Sequence, residues 1–398
     1  MRAACRRHAA AASSRAHHDA MLRPLLAAAS AATYTTAGCV PMTTLGLLLL
    51  TGFGAAASPT GPTKPVKVFI LMGQSNMLGE GRKSGRTPSL ESLVNQGEGK
   101  FPYLWDKDAG NWSHSKNVRN VFVMASGGPS SAMTLFHNEF MTGAETTPAA
   151  VPGVTARSKG SIGPELGIGF TLGNYTADPV MCLKSCIGGR SLGWDLLPPT
   201  QKSFDYTDPK SGVDYTYAGY HQSPNRWKKG TTPKKIGWYA GVQYDGDTYR
   251  ASAVLKNLSV YYPGAPGFEV AGFFWWQGTK DSMDMALAEH YEDNLVALIK
   301  ALRQRYVAPN AKFVAATLGQ TLKNDTTTTD GVILQALEAV ADPAKYPEFK
   351  GNVATVYAHP LSMGSTSGAH YGDNPETYMN VGQAMGEAMV NMLKGEGN

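Results

Sequence analysis

Short runs of apolar residues recur along the chain, separated by segments in which apolar residues repeat at helical spacing. The runs are nearly continuous rather than alternating, which is typical of strands that are buried on both faces of a sheet. We predict strands at residues 66–72, 121–125, 180–186, 270–276, 313–318 and 353–357.

Three of the intervening segments place their apolar residues on one face of a helix. They cover residues 251–261, 288–306 and 378–393. Strands that alternate with helices predict a parallel sheet covered by helices on both sides, and therefore an α/β fold. The sequence contains no internal repeat and no clear linker, so we predict one α/β domain over residues 58–398.

Residues 195–247 break this rhythm, because they show little periodicity and are rich in tyrosine and tryptophan. A loop of this length is usually functional or disordered. Its aromatic content argues against disorder. Two interpretations stay open: the segment lines a sugar-binding site, or it is a packed excursion on the surface.

Residues 1–57 differ from the rest in composition. They are rich in alanine, serine and arginine and end in the run LGLLLLTGFGAAAS. The apolar part is shorter than the roughly 20 residues of a membrane helix and is followed by small residues, which favours a secretory signal. We therefore predict a targeting segment and an exported protein with no stable membrane span in the mature chain. A transit peptide, or a true start at Met21 or Met42, is the alternative.

Most of the net charge of +5 lies in that first segment, and the remaining chain is nearly neutral. A nearly neutral body without a basic stripe argues against a nucleic-acid partner. Outside the first segment the chain has two cysteines, Cys182 and Cys186. On one strand they would lie about 13 Å apart, too far for a disulfide, so we predict free cysteines in the core.

The first predicted strand stops abruptly at Gly73-Gln74-Ser75-Asn76. Ligands of open α/β sheets bind beyond the carboxyl ends of the strands, which is where Ser75 falls. A serine attacks an ester only when a base and an anion-stabilising site accompany it.

Later strand ends offer these groups. Gly189, in a pair of glycines, offers a backbone N–H, and Gln277 offers a side-chain amide. His370, between the last strand and the last helix, is the candidate base. Arg190 beside the glycines either meets a carboxylate or points into solvent. Of Trp275 and Trp276, at most one faces the site, because neighbouring strand residues point to opposite faces.

These motifs together resemble the sialate O-acetylesterase/acetylxylan esterase branch of the SGNH hydrolases. They are GQSNM at 73–77, GPE at 163–165, GGRSL at 188–192, WWQG at 275–278 and HYGDNPETY at 370–378. The resemblance spans residue 66 to the C-terminus. It implies a three-layer α/β/α sandwich with a parallel, flavodoxin-like sheet.

The resemblance also implies roles for individual residues. Ser75 resembles the nucleophile and His370 the base. The backbone N–H groups of Ser75 and Gly189 and the side chain of Gln277 resemble the oxyanion donors. No cofactor and no metal are expected, and the expected partner is an O-acetylated carbohydrate. A catalytically silent carbohydrate-binding relative and an esterase acting on a non-sugar ester are the alternatives.

One position departs from the family pattern. Many SGNH enzymes orient the histidine with an aspartate three residues earlier, but position 367 here is a serine. We predict that Asp281 takes this place, with Asp373, Glu165 or a backbone carbonyl as alternatives. A serine–histidine dyad is also possible, because hydrolysis survives at a lower rate without the aspartate. In the competing interpretation, Asp281 only stabilises the N-terminus of a helix.

Overall fold

The computed structural model describes residues 61–95, 99–143, 151, 153–157 and 159–396. The predicted targeting segment, residues 1–57, and the domain boundary at residue 58 lie outside these ranges, so both stay predictions. None of the helices within the described ranges is long and apolar enough to cross a membrane.

The described residues form fifteen strands, several of them very short. In chain order they are β1 (Val66–Gly73), β2 (Gly81–Arg82), β3 (Trp105–Asp106), β4 (Asn111–Trp112), β5 (His114–Met124), β6 (Thr134–Thr142), β7 (Thr155–Ala156), β8 (Ser161–Ile162), β9 (Val180–Ser185), β10 (Phe204–Thr207), β11 (Asp214–Tyr217), β12 (Arg226–Lys228), β13 (Phe268–Trp276), β14 (Lys312–Ala316) and β15 (Val353–Val356).

Nine α-helices accompany them in the same ranges. They are α1 (Ser75–Leu78), α2 (Leu90–Asn95), α3 (Glu165–Tyr175), α4 (Val242–Lys256), α5 (Leu258–Tyr261), α6 (Met285–Glu289), α7 (Tyr291–Arg305), α8 (Thr329–Val340) and α9 (Pro375–Lys394). Two 3₁₀ turns matter for the site, Asp281–Met283 and Ser367–Asp373.

Eight strands form the central sheet in the order β15-β14-β13-β1-β9-β5-β6-β7. The six from β15 to β5 run parallel, and they are the six strands predicted from the apolar runs. β6 is antiparallel to β5 and was not predicted. Its sequence TLFHNEFMT interrupts the apolar pattern with three polar residues, as a partly exposed strand near a sheet edge can tolerate.

The strand order places a ligand crevice beside β1. Among β1, β9, β13, β14 and β15, numbered one to five along the chain, the spatial order is 2-1-3-4-5, the flavodoxin-like arrangement. β5 and β6 extend the sheet beyond β9. The chain reverses its direction of winding between β1 and β13, where folds of this kind bind ligands.

Helices cover both faces of the sheet, which confirms the predicted three-layer fold. One face packs with residues of α4, α7 and α8, and the opposite face with α3 and α9. Trp275 and Trp276 point to opposite faces and are both fully buried. Their indole N–H groups donate to Tyr291 Oη and to the carbonyl of Thr317, both at 3.0 Å. Neither ring therefore faces the crevice.

The irregular segment is ordered and packed. It contains a small antiparallel sheet of β10, β11 and β12 and carries its own apolar cluster of Leu197, Ala218 and Ala240. The packed interpretation of this segment therefore holds for most of it. Cys182 and Cys186 are free and buried, as predicted.

Candidate active site

Three strand ends meet at the carboxyl edge of the sheet, beside the point where the strand order reverses. Gly73 ends β1 with φ of +145°, and a Cβ atom there would lie 2.4 Å from the carbonyl oxygen of Trp276. Only glycine therefore allows β1 to approach β13 so closely. A Cβ atom at Gly188 would lie 3.5 Å from Ser75 Cβ. The structure thus brings the loops that carry Ser75, Gly189 and Gln277 together.

Ser75 is the first residue of α1 and is 7% exposed. The first backbone hydrogen bond of this helix runs from the N–H of Leu78 to the carbonyl of Gln74, at 2.8 Å. The N–H of Ser75 therefore precedes the helical bonding pattern and lies at the positive end of the helix. Gly189 has φ of +69° and open space in front of its Cα atom. Both placements suit the predicted oxyanion donors.

The side chain of Gln277 is completely buried and bonded at both ends. Its Oε1 atom accepts a hydrogen bond from Tyr291 Oη at 2.9 Å. Its Nε2 atom lies 3.0 Å from Gln74 Oε1, 3.0 Å from the carbonyl of Arg190 and 2.5 Å from Asp281 Oδ2. An amide nitrogen has two hydrogens for these three acceptors. Gln277 can reach an oxyanion only if one acceptor gives way.

Asp281 is also completely buried. Its carboxylate supports the loop after β9, residues 188–193, which we call the glycine loop. Oδ2 accepts from the N–H of Leu192 at 2.8 Å, and Oδ1 from the N–H of Gly193 at 2.7 Å. Burial raises the pKa of Asp281 to about 7, against the opposing effect of its N–H donors. Above that pH the group is a carboxylate, the form that three donors and no acceptor suit.

His370 lies in the Ser367–Asp373 turn, which packs against α1. His370, Tyr371 and Asp373 have φ of +51°, +56° and +59°, a conformation that costs residues other than glycine energy. Packing holds the turn in place: the ring of Tyr371 stacks on Trp276 with centroids 5.7 Å apart. Among the described residues, neither the ring of His370 nor the hydroxyl of Ser75 forms a hydrogen bond.

The carboxylates predicted to orient His370 all bond elsewhere. The carboxylate of Asp281 is occupied by Gln277 and by the glycine loop, so the structure shows no triad through it. Asp373 pairs with Arg82 at 3.2 Å, and Glu165 pairs with Lys184 at 2.5 Å. The hydroxyl of Ser367 contacts Thr279 Oγ1 at 3.1 Å. A role of Asp281 in orienting His370 therefore stays a prediction, and the hydrogen bonds of the described residues do not support it.

Sequence reasoning did not assign a role to Lys184, which is 1% exposed. Its ammonium group donates to Glu165 Oε2 at 2.5 Å and to the carbonyl of Leu78, the last residue of α1, at 3.0 Å. The ion pair thus holds the helix that begins with Ser75 against β9 and α3. The available signal was a lysine inside the apolar run VMCLKS, since lysine is almost never fully buried without a partner.

Two tryptophans, Trp194 just before the irregular segment and Trp238 within it, line a pocket beside the glycine loop. The pocket has a volume of about 260 Å³ and is lined by Arg190, Trp194, Asp195, Ile236 and Trp238. The guanidinium of Arg190 lies 5.0 Å from the ring centroid of Trp238, and its Nη2 donates to Ser126 Oγ at 2.8 Å. Arg190 is therefore held against an aromatic face at the rim of the site.

Within the described ranges, no group of three or more histidine, cysteine or acidic side chains could hold a metal ion. The chemistry that this edge offers is that of a serine hydroxyl, a histidine and backbone donors.

Residues 223–391 match the family described as "Carbohydrate esterase, sialic acid-specific acetylesterase". This stretch includes Gln277, Asp281 and His370 but neither Ser75 nor Gly189. This part of the chain is similar to that family of carbohydrate esterases. No curated protein sequence matches it.

Three solved structures resemble the chain at low identity. A protein from Arabidopsis thaliana is 16% identical over 82% of this chain and 98% of its own, with a TM-score of 0.42. A carbohydrate acetylesterase from Xanthomonas citri is 14% identical over 83% of this chain and 57% of its own, with a TM-score of 0.46. NanS is 16% identical over 74% of this chain and 78% of its own, with a TM-score of 0.35.

We predict that Asp281→Asn lowers kcat, because an amide has one oxygen and cannot accept hydrogen bonds from both Leu192 and Gly193 as the two carboxylate oxygens do.

The same variant also tests the titration of Asp281, whose pKa is higher in the folded protein than the ordinary aspartate value. The folded state therefore keeps a proton that the unfolded chain releases, and the contribution of Asp281 to stability falls as pH rises from about 4 to 7. The advantage of wild type over the variant in unfolding free energy should be larger at pH 5 than at pH 8.

Chemical denaturation of both proteins at these two pH values tests this prediction. All other titrating groups are shared, so their effects cancel in the difference. An advantage that is equal at both pH values, or larger at pH 8, contradicts the assigned titration of Asp281.

For the buried ion pair, we predict that Lys184→Met costs about 3–5 kcal/mol of unfolding free energy, because it leaves Glu165 charged and unpaired. Adding Glu165→Gln should restore much of the stability but not the bond to the carbonyl of Leu78. The double variant should therefore keep a reduced kcat with little change in KM, measured with 4-nitrophenyl acetate. Full recovery of kcat would show that α1 does not need Lys184.

Proposed function

We propose that this protein is a serine-dependent carbohydrate O-acetylesterase that releases acetate from O-acetylated sugars. The observation that carries the proposal is the position of Ser75, at the start of α1 and against the Gly188–Gly189 loop. The turn that contains His370 packs against the same helix. This combination lies where the strand order reverses, the usual ligand position of the fold.

In the first half of the reaction, Ser75 Oγ attacks the acetyl carbonyl carbon and His370 accepts the hydroxyl proton. The N–H groups of Ser75 and Gly189 stabilise the negative charge that develops on the carbonyl oxygen. The bond between the carbonyl carbon and the sugar oxygen then breaks. The sugar oxygen leaves as a hydroxyl after taking the proton from His370, and Ser75 is left acetylated.

In the second half, His370 removes a proton from water, which attacks the acetyl-serine. Collapse of this intermediate returns the proton to Ser75 and releases acetate. We assign His370 to a dyad rather than a triad, because the candidate carboxylates bond elsewhere. Tyr378 Oη, 3.4 Å from the carbonyl of His370, helps to fix the backbone that presents the ring. Gln277 and Asp281 support the glycine loop.

The proposal also covers where the sugar binds and where in the cell the protein acts. The aromatic pocket beside Arg190 suits a sugar ring next to the ester, since sugars present both apolar faces and hydroxyl groups. We further propose that the protein is exported through residues 1–57 and meets its acetylated glycan outside the cytoplasm. N-terminal sequencing of the protein recovered from the culture medium would test the export.

We predict that Ser75→Ala lowers kcat by several orders of magnitude while the protein stays folded, because Ser75 supplies the attacking oxygen. The measurement is release of acetate from 4-nitrophenyl acetate and from a panel of acetylated glycans. Ser282→Ala is the matched control, since this half-buried serine follows the same strand as Gln277 and its hydroxyl donates to the carbonyl of Thr279 at 3.1 Å. Near-normal turnover by Ser75→Ala would overturn the proposal.

Gln277→Ala should lower kcat by about 10²–10³ with little change in KM, whether the amide contacts the oxyanion or holds the loop that does. A variant with unchanged kcat and a raised KM would instead make Gln277 a substrate-binding residue. Steady-state kinetics with one acetylated sugar separates the two outcomes.

A further inference from the structure

A broad open groove lies between α4 and α7, apart from the pocket beside Arg190. We call it the α4–α7 groove. Its volume of about 1170 Å³ exceeds the roughly 300–1,000 Å³ of sites for single small molecules. It is therefore large enough for several linked rings.

One wall of the groove is a rigid aromatic platform. The rings of Tyr220 and His221 stack with centroids 3.9 Å apart. Asp245 holds both, because its carboxylate accepts from the hydroxyl of Tyr220 and lies 3.0 Å from His221 Nε2. His221 has φ of +66°, a strained conformation that is most often kept at functional sites. A ligand that stacks here does not have to order these side chains first.

The rest of the groove combines small apolar residues with hydrogen-bonding groups. Ala297 and Ala301 of α7 form part of its lining, and Tyr249 on α4 is 49% exposed beside them. Gln201 and Gln304 contribute amide groups to the same surface. A sugar ring has this mixed character, with apolar C–H faces and polar hydroxyl edges.

The charges of the groove lining and the helical backbone of its walls argue against a polyanion or an extended peptide as the ligand. The lining carries two carboxylates, Asp245 and Asp293, and two cations, Lys300 and Arg305, so it has no excess of positive charge for a polyanion. Its walls are largely the helices α4 and α7, whose backbone groups bond internally. A peptide could therefore not add to it as an extra strand.

The groove is connected to the catalytic edge through the irregular segment. Tyr239 Oη donates to Asp245 Oδ2 at 3.0 Å, and the next residue back, Trp238, lies against Arg190. Arg190 follows Gly189 directly. An extended chain could thus pass from Ser75 over the Arg190 pocket to the platform.

We propose that the α4–α7 groove binds an uncharged polysaccharide chain, several residues from the acetylated sugar that Ser75 deacetylates. The link to Ser75 rests on the proposed function, but the binding does not. The groove gives the enzyme a preference for polymeric over short acetylated substrates. Ala301→Arg should block it, because a long charged side chain would enter the lining.

The test is affinity electrophoresis of the full chain in gels that contain acetylated xylan, acetylated mannan or polysialic acid. Wild type and Ser75→Ala should both be retarded by at least one neutral polysaccharide and not by polysialic acid. Ala301→Arg should lose the retardation. Ala384→Arg is the matched control, because Ala384 is a half-buried residue of α9, in the helix layer on the other face of the sheet.

The outcomes separate this proposal from the catalytic one. Three results would overturn the proposed binding. They are retardation by no neutral polysaccharide, retardation by polysialic acid alone, and equal retardation of both arginine variants. If the wild-type protein does not hydrolyse 4-nitrophenyl acetate, the proposed function is overturned, but the binding result still stands. If both the binding and the catalytic activity are observed, Ala301→Arg should lower kcat/KM about tenfold or more on the polymer that binds. The same variant should lower kcat/KM less than twofold on 4-nitrophenyl acetate. Equal losses on both substrates would count against the groove.

Discussion

A carboxylate in a protein interior must be satisfied by protein donors, and the candidate active site depends on the one that Asp281 provides. Its two oxygens connect the loop after β9 with the loop after β13, because they accept from Leu192, Gly193 and Gln277. Gln277 extends the connection to Gln74, the residue before Ser75. Three strand ends that are distant in the sequence thus share one buried hydrogen-bond network.

The histidine side of the site is held by ring stacking together with hydrogen bonds of the turn. The turn that presents His370 adopts left-handed backbone conformations, which the surrounding structure must compensate. The stacking of Tyr371 on Trp276, and the hydroxyl of Tyr371 accepting from the N–H of Gly319 at 3.2 Å, provide that compensation. A dyad suits such a site, because the position of the backbone can restrict the orientation of the imidazole ring when no carboxylate holds it.

The interior and the surface of the site follow different physical rules. Beneath Ser75, the Lys184–Glu165 pair is shielded from water, so each group needs the other and neither can change alone without a large cost. Around the site, the irregular segment presents aromatic rings at a partly exposed surface. The inner residues therefore fix the position of Ser75, while the proposed glycan-binding residues lie outside them.

The sequence by itself determined the parallel sheet, the six buried strands and the free cysteines. It also located the strand ends that carry Ser75, Gly189 and Gln277, and the loop that carries His370. Apolar periodicity and glycine positions report burial and turns locally, so these features can be inferred without coordinates. The antiparallel β6, the partners of Asp281 and the role of Lys184 were decided only by the tertiary structure. A side chain's partner depends on which distant segments pack beside it, and the spacing of residues along the chain does not contain that information.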